Sequence, residues 1–336
     1  MSETVALSPS RTGVDRRRAR SARKPPCIAL IGGSNDMSFL VPAFRRLPQA
    51  LDLRWGNDLG SLSDIEAVVC WRPPTGLLRQ LPNLRLIQSS GAGVDHILAD
   101  PDLPAHVPLC RAIDPGMAAG MAAYVSWAVV HHQHKMKDYL GHGIVRAWEA
   151  LPFVAPQRHV VGIAGMGELG RATAHALSAI GFTVRGWVRR PPAFRLDGIT
   201  YFCGDADLKP FLRECNTLVC LLPLTYETHG FLGADVFSML KAGAHVINVG
   251  RGEHLNERDL LEALADGSVG AATLDTFRTE PLPPSSELWS HPRICVTPHI
   301  ASRCDPIALA GQTVERLLAI RKSLPAEGLV DRATGY

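Results

Sequence analysis

No run of ~18 apolar residues occurs in this chain and its mean hydropathy is +0.05, so no membrane-spanning helix is expected. Paired cysteine motifs are missing too. The eight cysteines, Cys27, Cys70, Cys110, Cys203, Cys215, Cys220, Cys295 and Cys304, form no C-x-x-C pair, and most fall inside apolar, strand-like runs. That spacing argues against a zinc site and for buried thiols in a reducing compartment, so no metal and a cytoplasmic location are expected. A charge excess of one sign is also lacking. Lys and Arg number 35 against 32 Asp and Glu, a net charge of +3. Outside the N-terminal segment there is no basic stripe of the kind that binds nucleic acid. No repeat of solenoid period is present. What is there is 336 residues, 46% hydrophobic and 20% charged, a composition suited to about two globular domains with a core in each.

Residues 1–24 stand apart. They carry Arg11, Arg16, Arg17, Arg18, Arg20, Arg23 and Lys24, few acids and almost no large apolar side chains. Such a segment buries too little surface to order itself, and it lacks the apolar region of a secretory signal. An Arg- and Ser-rich, acid-poor leader also matches an organelle transit peptide; a disordered cytoplasmic extension is the reading favoured here.

From residue 27 the chain alternates. Apolar runs at residues 27–31, 51–55, 67–71 and 84–90 read as strands, with a helix near 39–47. A long apolar segment over 117–136 reads as a helix weakened at Gly120, and residues 141–156 read as irregular. Strands then resume at 159–164, 183–188, 217–222, 245–249, 271–275 and 294–297, with helices between them and a last helix over 306–322. Strand–helix alternation implies parallel sheets covered on both faces, in two α/β units.

The string GMGELG supplies Gly165, Met166, Gly167, Glu168, Leu169 and Gly170 between a strand and a helix. Alone, G-x-G-x-x-G is a weak signal; in the order strand, glycine turn, helix, strand it is a good one for a dinucleotide. Gly165 permits the tight turn, Gly167 lets backbone approach a pyrophosphate, and Gly170 allows close helix packing. The helix N-terminus then presents free N–H groups to phosphate. The next strand ends in Val188, Arg189 and Arg190, where NAD-binding versions place an acid. Arginines there suit the 2′-phosphate of NADP rather than NAD, although a solvated basic turn is the ordinary alternative.

Three later segments, VINVGRGEHL, LDTFRTEPLP and VTPHIA, each follow a buried strand and contribute Arg251, Glu280 and His299. Reduction of a 2-oxo acid needs these types. A guanidinium grips carboxylate and carbonyl oxygen, an imidazole supplies a proton, and a carboxylate orients the imidazole. Singly, each has an ordinary explanation as a loop cap, a turn acid or a loop histidine. Together, downstream of a dinucleotide motif, they read as one constellation.

With GAGVDHI, GMGELG, LLPLTYETHG, NVGRGEHL, LDTFRTEPLPP and TPHIAS in order over about residues 65–304, the sequence resembles the D-isomer-specific 2-hydroxyacid dehydrogenase family. CWRPP, WVRRPP, EPLPPSSELWSHPR and VDRATGY resemble its glyoxylate/hydroxypyruvate reductase branch. The resemblance implies two Rossmann-like or flavodoxin-like parallel-sheet domains, the cofactor domain (117–302) inserted into a substrate domain (25–116 plus 303–336). Hinges are implied at 117–119 and 301–303. It implies NADPH-dependent reduction of glyoxylate or hydroxypyruvate, with Arg251 on the substrate, His299 as general acid and Glu280 as its partner. Gly91, Ala92 and Gly93 would hold the substrate carboxylate, with Trp71 and Arg72 opposite, narrowing the site to small acids. Leu222, Pro223, Val249, Gly250 and Asp275 would lie near the cofactor. A homodimer is implied by analogy. The run AAGMAAYVSW departs from the more polar helix start usual in the family. His131, His132 and His134 lack the spacing of a metal site and read as helix surface or dimer contact. Two alternatives stay open: a relative with another substrate, and an NAD(H)-sensing corepressor-like protein on the same scaffold.

Overall fold

The computed structural model describes residues 24–33, 36–191, 195–333 and 335. The basic segment before Lys24 lies outside them. In chain order the elements are β1 (Cys27–Ile31), α1 (Val41–Arg45), β2 (Asp52–Trp55), β3 (Ala67–Cys70), β4 (Leu86–Ser89), α2 (Asp95–Leu98), β5 (Leu109–Cys110), α3 (Pro115–Gln133) and α4 (Met136–Val145). They continue as β6 (Val160–Ala164), α5 (Glu168–Ile180), β7 (Thr183–Val188), β8 (Thr200–Cys203), α6 (Leu208–Leu212), β9 (Thr217–Cys220), α7 (Ala234–Met239) and β10 (Ala244–Asn248). The last are α8 (Glu257–Asp266), β11 (Val269–Leu274), β12 (Ile294–Val296) and α9 (Pro306–Arg321).

Two parallel sheets result, with strand orders β2-β1-β3-β4-β5 and β12-β11-β10-β9-β6-β7-β8. Every residue of β1, β3, β4, β9 and β10 is buried, as both-face coverage requires. Each order reverses once, beside β1 in the first sheet and between β6 and β9 in the second. At such switch points a crevice opens beyond the strands' carboxyl ends.

The chain crosses between the sheets twice. On the way out, α3 starts on Pro115 and is capped by the Asp114 carboxylate, which accepts from the Gly116 N–H at 2.8 Å. Met117 packs in the first core, while Met121, Val125, Ala128 and Val129 pack against β6 and α5. On the return, Asp305 caps α9, whose Leu309, Val314 and Leu317 sink into the first core beside Ile28 and Phe44. Each such side chain contributes roughly 1.5–3 kcal/mol, so the C-terminal helix is held firmly on the first sheet. The two crossings touch: Ser302 Oγ donates to the Met117 carbonyl at 2.8 Å, and the Asp305 N–H to Asp114 Oδ2 at 2.8 Å.

Some expectations need correction. The segment expected to be irregular opens with α4, which continues to Val145 with no buried residue. β5 and β8 were not anticipated; both are short edge strands, and β8 carries no fully buried residue that would mark it in sequence. His132 is not helix surface. Its ring stacks on that of the fully buried His245, centroids 4.3 Å apart, whereas His134 is exposed. All eight cysteines are free thiols. Among the described residues no helix is long and apolar enough to cross a membrane, and no three His, Cys, Asp or Glu side chains are grouped to hold a metal.

Candidate active site

The crevice at the second sheet's switch point is a cleft of about 360 Å³, walled by both α/β units. On one side lie Ala92 to Asp95 and residues 111–114; on the other lie residues 165–170, 188–190, 221–224 and 249–251.

The glycine turn is built for close approach. Gly165 has φ +101°, and a Cβ there would stand 2.5 Å from the Leu221 carbonyl oxygen. A Cβ on Gly170 would meet the Gly165 carbonyl oxygen at 2.0 Å, so only glycine lets α5 seat against the turn. At Gly167 the Cβ position is empty, with nothing within 4 Å. That open face at the start of α5 fits a pyrophosphate. At the far end, Arg189 and Arg190 follow β7; Arg189 Nη1 bonds to Glu227 Oε2 at 3.1 Å, and Arg190 is exposed.

Arg251 lies just beyond β10. Its Nε donates to Asp95 Oδ1 at 3.0 Å and its Nη1 to the Gly250 carbonyl at 2.8 Å. The Arg251 backbone is held as well: its N–H donates to His254 Nδ1 at 3.0 Å and its carbonyl accepts from Asn248 at 2.8 Å. Burial pushes His254 down to about 4, so that ring stays neutral and can accept. The guanidinium reaches space that only glycine leaves open, since a Cβ on Gly93 would lie 1.6 Å from Arg251 Nη2.

His299 Nδ1 lies 3.0 Å from each Glu280 oxygen, and Glu280 Oε1 also accepts from the Phe277 N–H at 3.0 Å. Burial alone would raise the Glu280 carboxyl. The His299 hydrogen bond and charge outweigh it, leaving the carboxyl below its usual range. His299 has φ +52°, a strained backbone for a non-glycine residue, and its N–H is tied to the Asp275 carbonyl at 2.9 Å. Arg72, at φ +49°, is the other strained residue here, with Nη2 3.9 Å from Glu280 Oε2.

Trp71 joins the two halves. Its ring centroid is 5.9 Å from the Arg251 guanidinium carbon and 5.9 Å from the His299 ring, which meets it edge-on. Arg251, Glu280 and His299 therefore gather around one indole supplied by the first sheet.

Comparison with known proteins gives the family. Residues 124–301 match the model for the D-isomer specific 2-hydroxyacid dehydrogenase NAD binding domain. A glyoxylate/hydroxypyruvate reductase A from Yersinia enterocolitica is 40% identical over 296 residues, 87% of this chain and 93% of that protein. This chain belongs to the D-isomer specific 2-hydroxyacid dehydrogenase family. A glyoxylate/hydroxypyruvate reductase A from Serratia proteamaculans is 38% identical, covering 90% of this chain and 97% of its own. Among solved structures, a D-isomer specific 2-hydroxyacid dehydrogenase from Xanthobacter autotrophicus, in complex with NADPH and MES, superposes with a TM-score of 0.85 at 34% identity. It covers 93% of this chain and 100% of its own. An NADPH-dependent glyoxylate/hydroxypyruvate reductase from Sinorhizobium meliloti, in complex with NADP and sulfate, gives 0.86 at 32% identity with the same coverage.

Within this 2-hydroxyacid dehydrogenase, the side chain of Asp275 is buried and fully engaged by the protein. Its oxygens accept from Thr297 Oγ1 at 2.6 Å and from the N–H groups of Ile300 and Ala301 at 2.8 Å each, so it organises the loop that presents His299. Four participants were not read from sequence: Asp95 on Arg251, His96 against Trp71, Glu227 on Arg189, and Gly335, which lines the cleft from the chain's far end. GAGVDHI drew attention to Asp95 and His96, but nothing local says what they touch.

Proposed function

We propose that this enzyme uses NADPH to reduce a small 2-oxo acid, glyoxylate to glycolate or hydroxypyruvate to D-glycerate. The observation that carries the reading is the convergence of Arg251 and His299 on Trp71, with Glu280 seated on His299 Nδ1. The bound dinucleotide supplies hydride to the keto carbon. Gly165, Met166, Gly167, Glu168, Leu169 and Gly170 hold its pyrophosphate, and Arg189 and Arg190 take the 2′-phosphate; NADP is accordingly preferred to NAD.

Arg251 binds the substrate carboxylate and keto oxygen, and the backbone N–H groups of Ala92 and Gly93 take the other carboxylate oxygen; that of Gly91, also expected there, donates to Ser89 Oγ at 3.2 Å. As the C–H bond forms, the carbonyl π pair moves to oxygen. His299, on the face away from Glu280, gives up its Nε2 proton to that oxygen, leaving an alcohol and a neutral imidazole. Glu280, bonded to Nδ1, orients the ring throughout. Trp71 and Arg72 leave room for a short substituent. Residues 25–116 with 303–336 form the unit that closes on 117–302 about the touching crossings at Met117 and Ser302, excluding water. We further propose a homodimer through the exposed apolar face of α4, in the cytoplasm, where eight free thiols are stable.

The test is the initial rate of NADPH and NADH oxidation with glyoxylate, hydroxypyruvate and pyruvate. NADPH oxidation by glyoxylate or hydroxypyruvate is expected, and His299→Ala should lower kcat by about a hundredfold or more. Unchanged kcat in that variant would defeat the mechanism.

A further inference from the structure

The short helix α2 sends two adjacent side chains to the two sides of the site. Asp95 goes to Arg251; His96 goes to Trp71, its ring centroid 4.1 Å from the indole and tilted by 43°. That is the shortest ring contact Trp71 makes, against 5.9 Å to His299. The same indole lies 5.9 Å from the Arg251 guanidinium carbon and 5.9 Å from the His299 ring, and on the proposed reading it bounds the substrate. Whatever fixes its place therefore fixes the pocket wall against two reacting groups at once.

His96 does not work through its nitrogens. Both are sealed from solvent without a hydrogen-bond partner of ordinary geometry among the described residues, although the Cys70 backbone lies near enough to act on the ring. Neither atom can reach a substrate in the cleft. Burial, opposed by Asp95 and assisted by Arg251 and Arg72, pushes the imidazole down to about 4 and keeps it uncharged beside two guanidiniums. What His96 offers is a flat, neutral, rigid face. On the other side the indole packs against Gly91, where a Cβ would stand 3.2 Å from Trp71 Cζ3.

We propose that His96 is a positioning residue for substrate selection: its ring face backs Trp71 and holds the indole where it meets Arg251 and His299. The inference rests on the 2-oxo acid reading of the cleft and deepens it, because it names a residue behind the pocket wall that sets which acids fit.

The experiment is steady-state kinetics with NADPH on the full-length enzyme, with NADPH affinity measured in parallel by fluorescence. His96→Ala should raise KM for glyoxylate by about tenfold with a smaller fall in kcat, as slack in a positioning wall does. NADPH affinity should stay unchanged, because the glycine turn is untouched. His96→Phe, which keeps the ring face and loses the nitrogens, should restore KM. In a Trp71→Ala background, His96→Ala should have no further effect on KM. A wild-type KM in His96→Ala, or an effect fully additive with Trp71→Ala, overturns the proposal. If the alanine variant fails to fold, His96→Phe and His96→Asn decide: equal KM in both overturns it. Failure of the wild type to reduce any 2-oxo acid overturns the functional reading instead, and this inference with it.

Discussion

Asp95 and Arg251, 156 residues apart in the chain, meet at 3.0 Å across the cleft. Both are largely buried, and together they hold the Asp95 carboxyl below its usual range; burial alone would raise it, and the guanidinium charge outweighs that. The contact occupies Nε, on the side of the guanidinium, and so aims the rest of the group. Removing the carboxylate leaves a charged group unaimed. A charged hydrogen bond is worth ~1.5–3 kcal/mol, so Asp95→Ala should lower kcat/KM by about tenfold to a hundredfold. Asp95→Asn, which keeps an acceptor, should lose less. Wild-type kcat/KM in Asp95→Ala would show that Arg251 needs no such partner.

The arginine pair sets a second expectation. Replacing Arg189 and Arg190 together by Ala should weaken NADPH binding by about tenfold or more and leave NADH binding nearly unchanged, since only the 2′-phosphate is deprived of its partners. Arg189 is already bonded to Glu227 at 3.1 Å, so that phosphate must compete with a carboxylate. Glu227→Gln should therefore tighten NADPH relative to NADH. Titration of both cofactors against each variant decides it; parallel losses for the two would refute the assignment.

The α4 region bears on assembly. Ile144 is 85% exposed, Val145 72% and Trp148 104%, and α4 buries none of its side chains. Contiguous exposed apolar surface of this kind marks an interface. Ile144→Glu combined with Trp148→Glu should convert a dimer into a monomer in sedimentation velocity runs. A wild-type protein that sediments as a monomer removes the premise.

Acid stability follows from a cluster on the far side of the cofactor sheet. His132 stacks on His245, whose Nε2 meets Thr273 Oγ1 at 2.9 Å, and His159 Nε2 meets Thr217 Oγ1 at 2.9 Å. Burial, the largest cause for each, lowers all three, His159 to about 4. The unfolded chain then binds more protons than the folded one between pH ~6.5 and about 4, so stability falls on acidification through that window. The slope should approach ~1.4 kcal/mol per pH unit for each histidine fully neutral in the fold. Urea unfolding at pH 7.5 and 5.0 measures it. His159→Asn should flatten the dependence, and an unaltered slope would count against the cluster.

Much of this architecture was legible in the order of residues. Period and composition suffice for strands such as β1 and β3, because a strand buried on both faces must be apolar throughout. The glycine turn was readable because three glycines at fixed spacing answer three steric demands of one local bend. Arg251, Glu280 and His299 were legible as types suited to a chemistry. Edge strands β5 and β8 were not: β5 is only two residues long, too short to show a period, and β8 is partly wet and needs no strong pattern.

Contacts between side chains distant in the chain lay beyond that reach. The resemblance puts Asp275 near the cofactor, but nothing local says that its oxygens hold the loop carrying His299. His132 reads as helix surface or dimer contact, yet its ring stacks on the buried His245. Asp95, His96 and Trp71 acquire their roles only when two separately wound sheets face each other. Local sequence dictates what a segment can become, because backbone sterics and burial act over a few residues. Which distant groups meet depends on how whole layers pack, and no short stretch of chain encodes that.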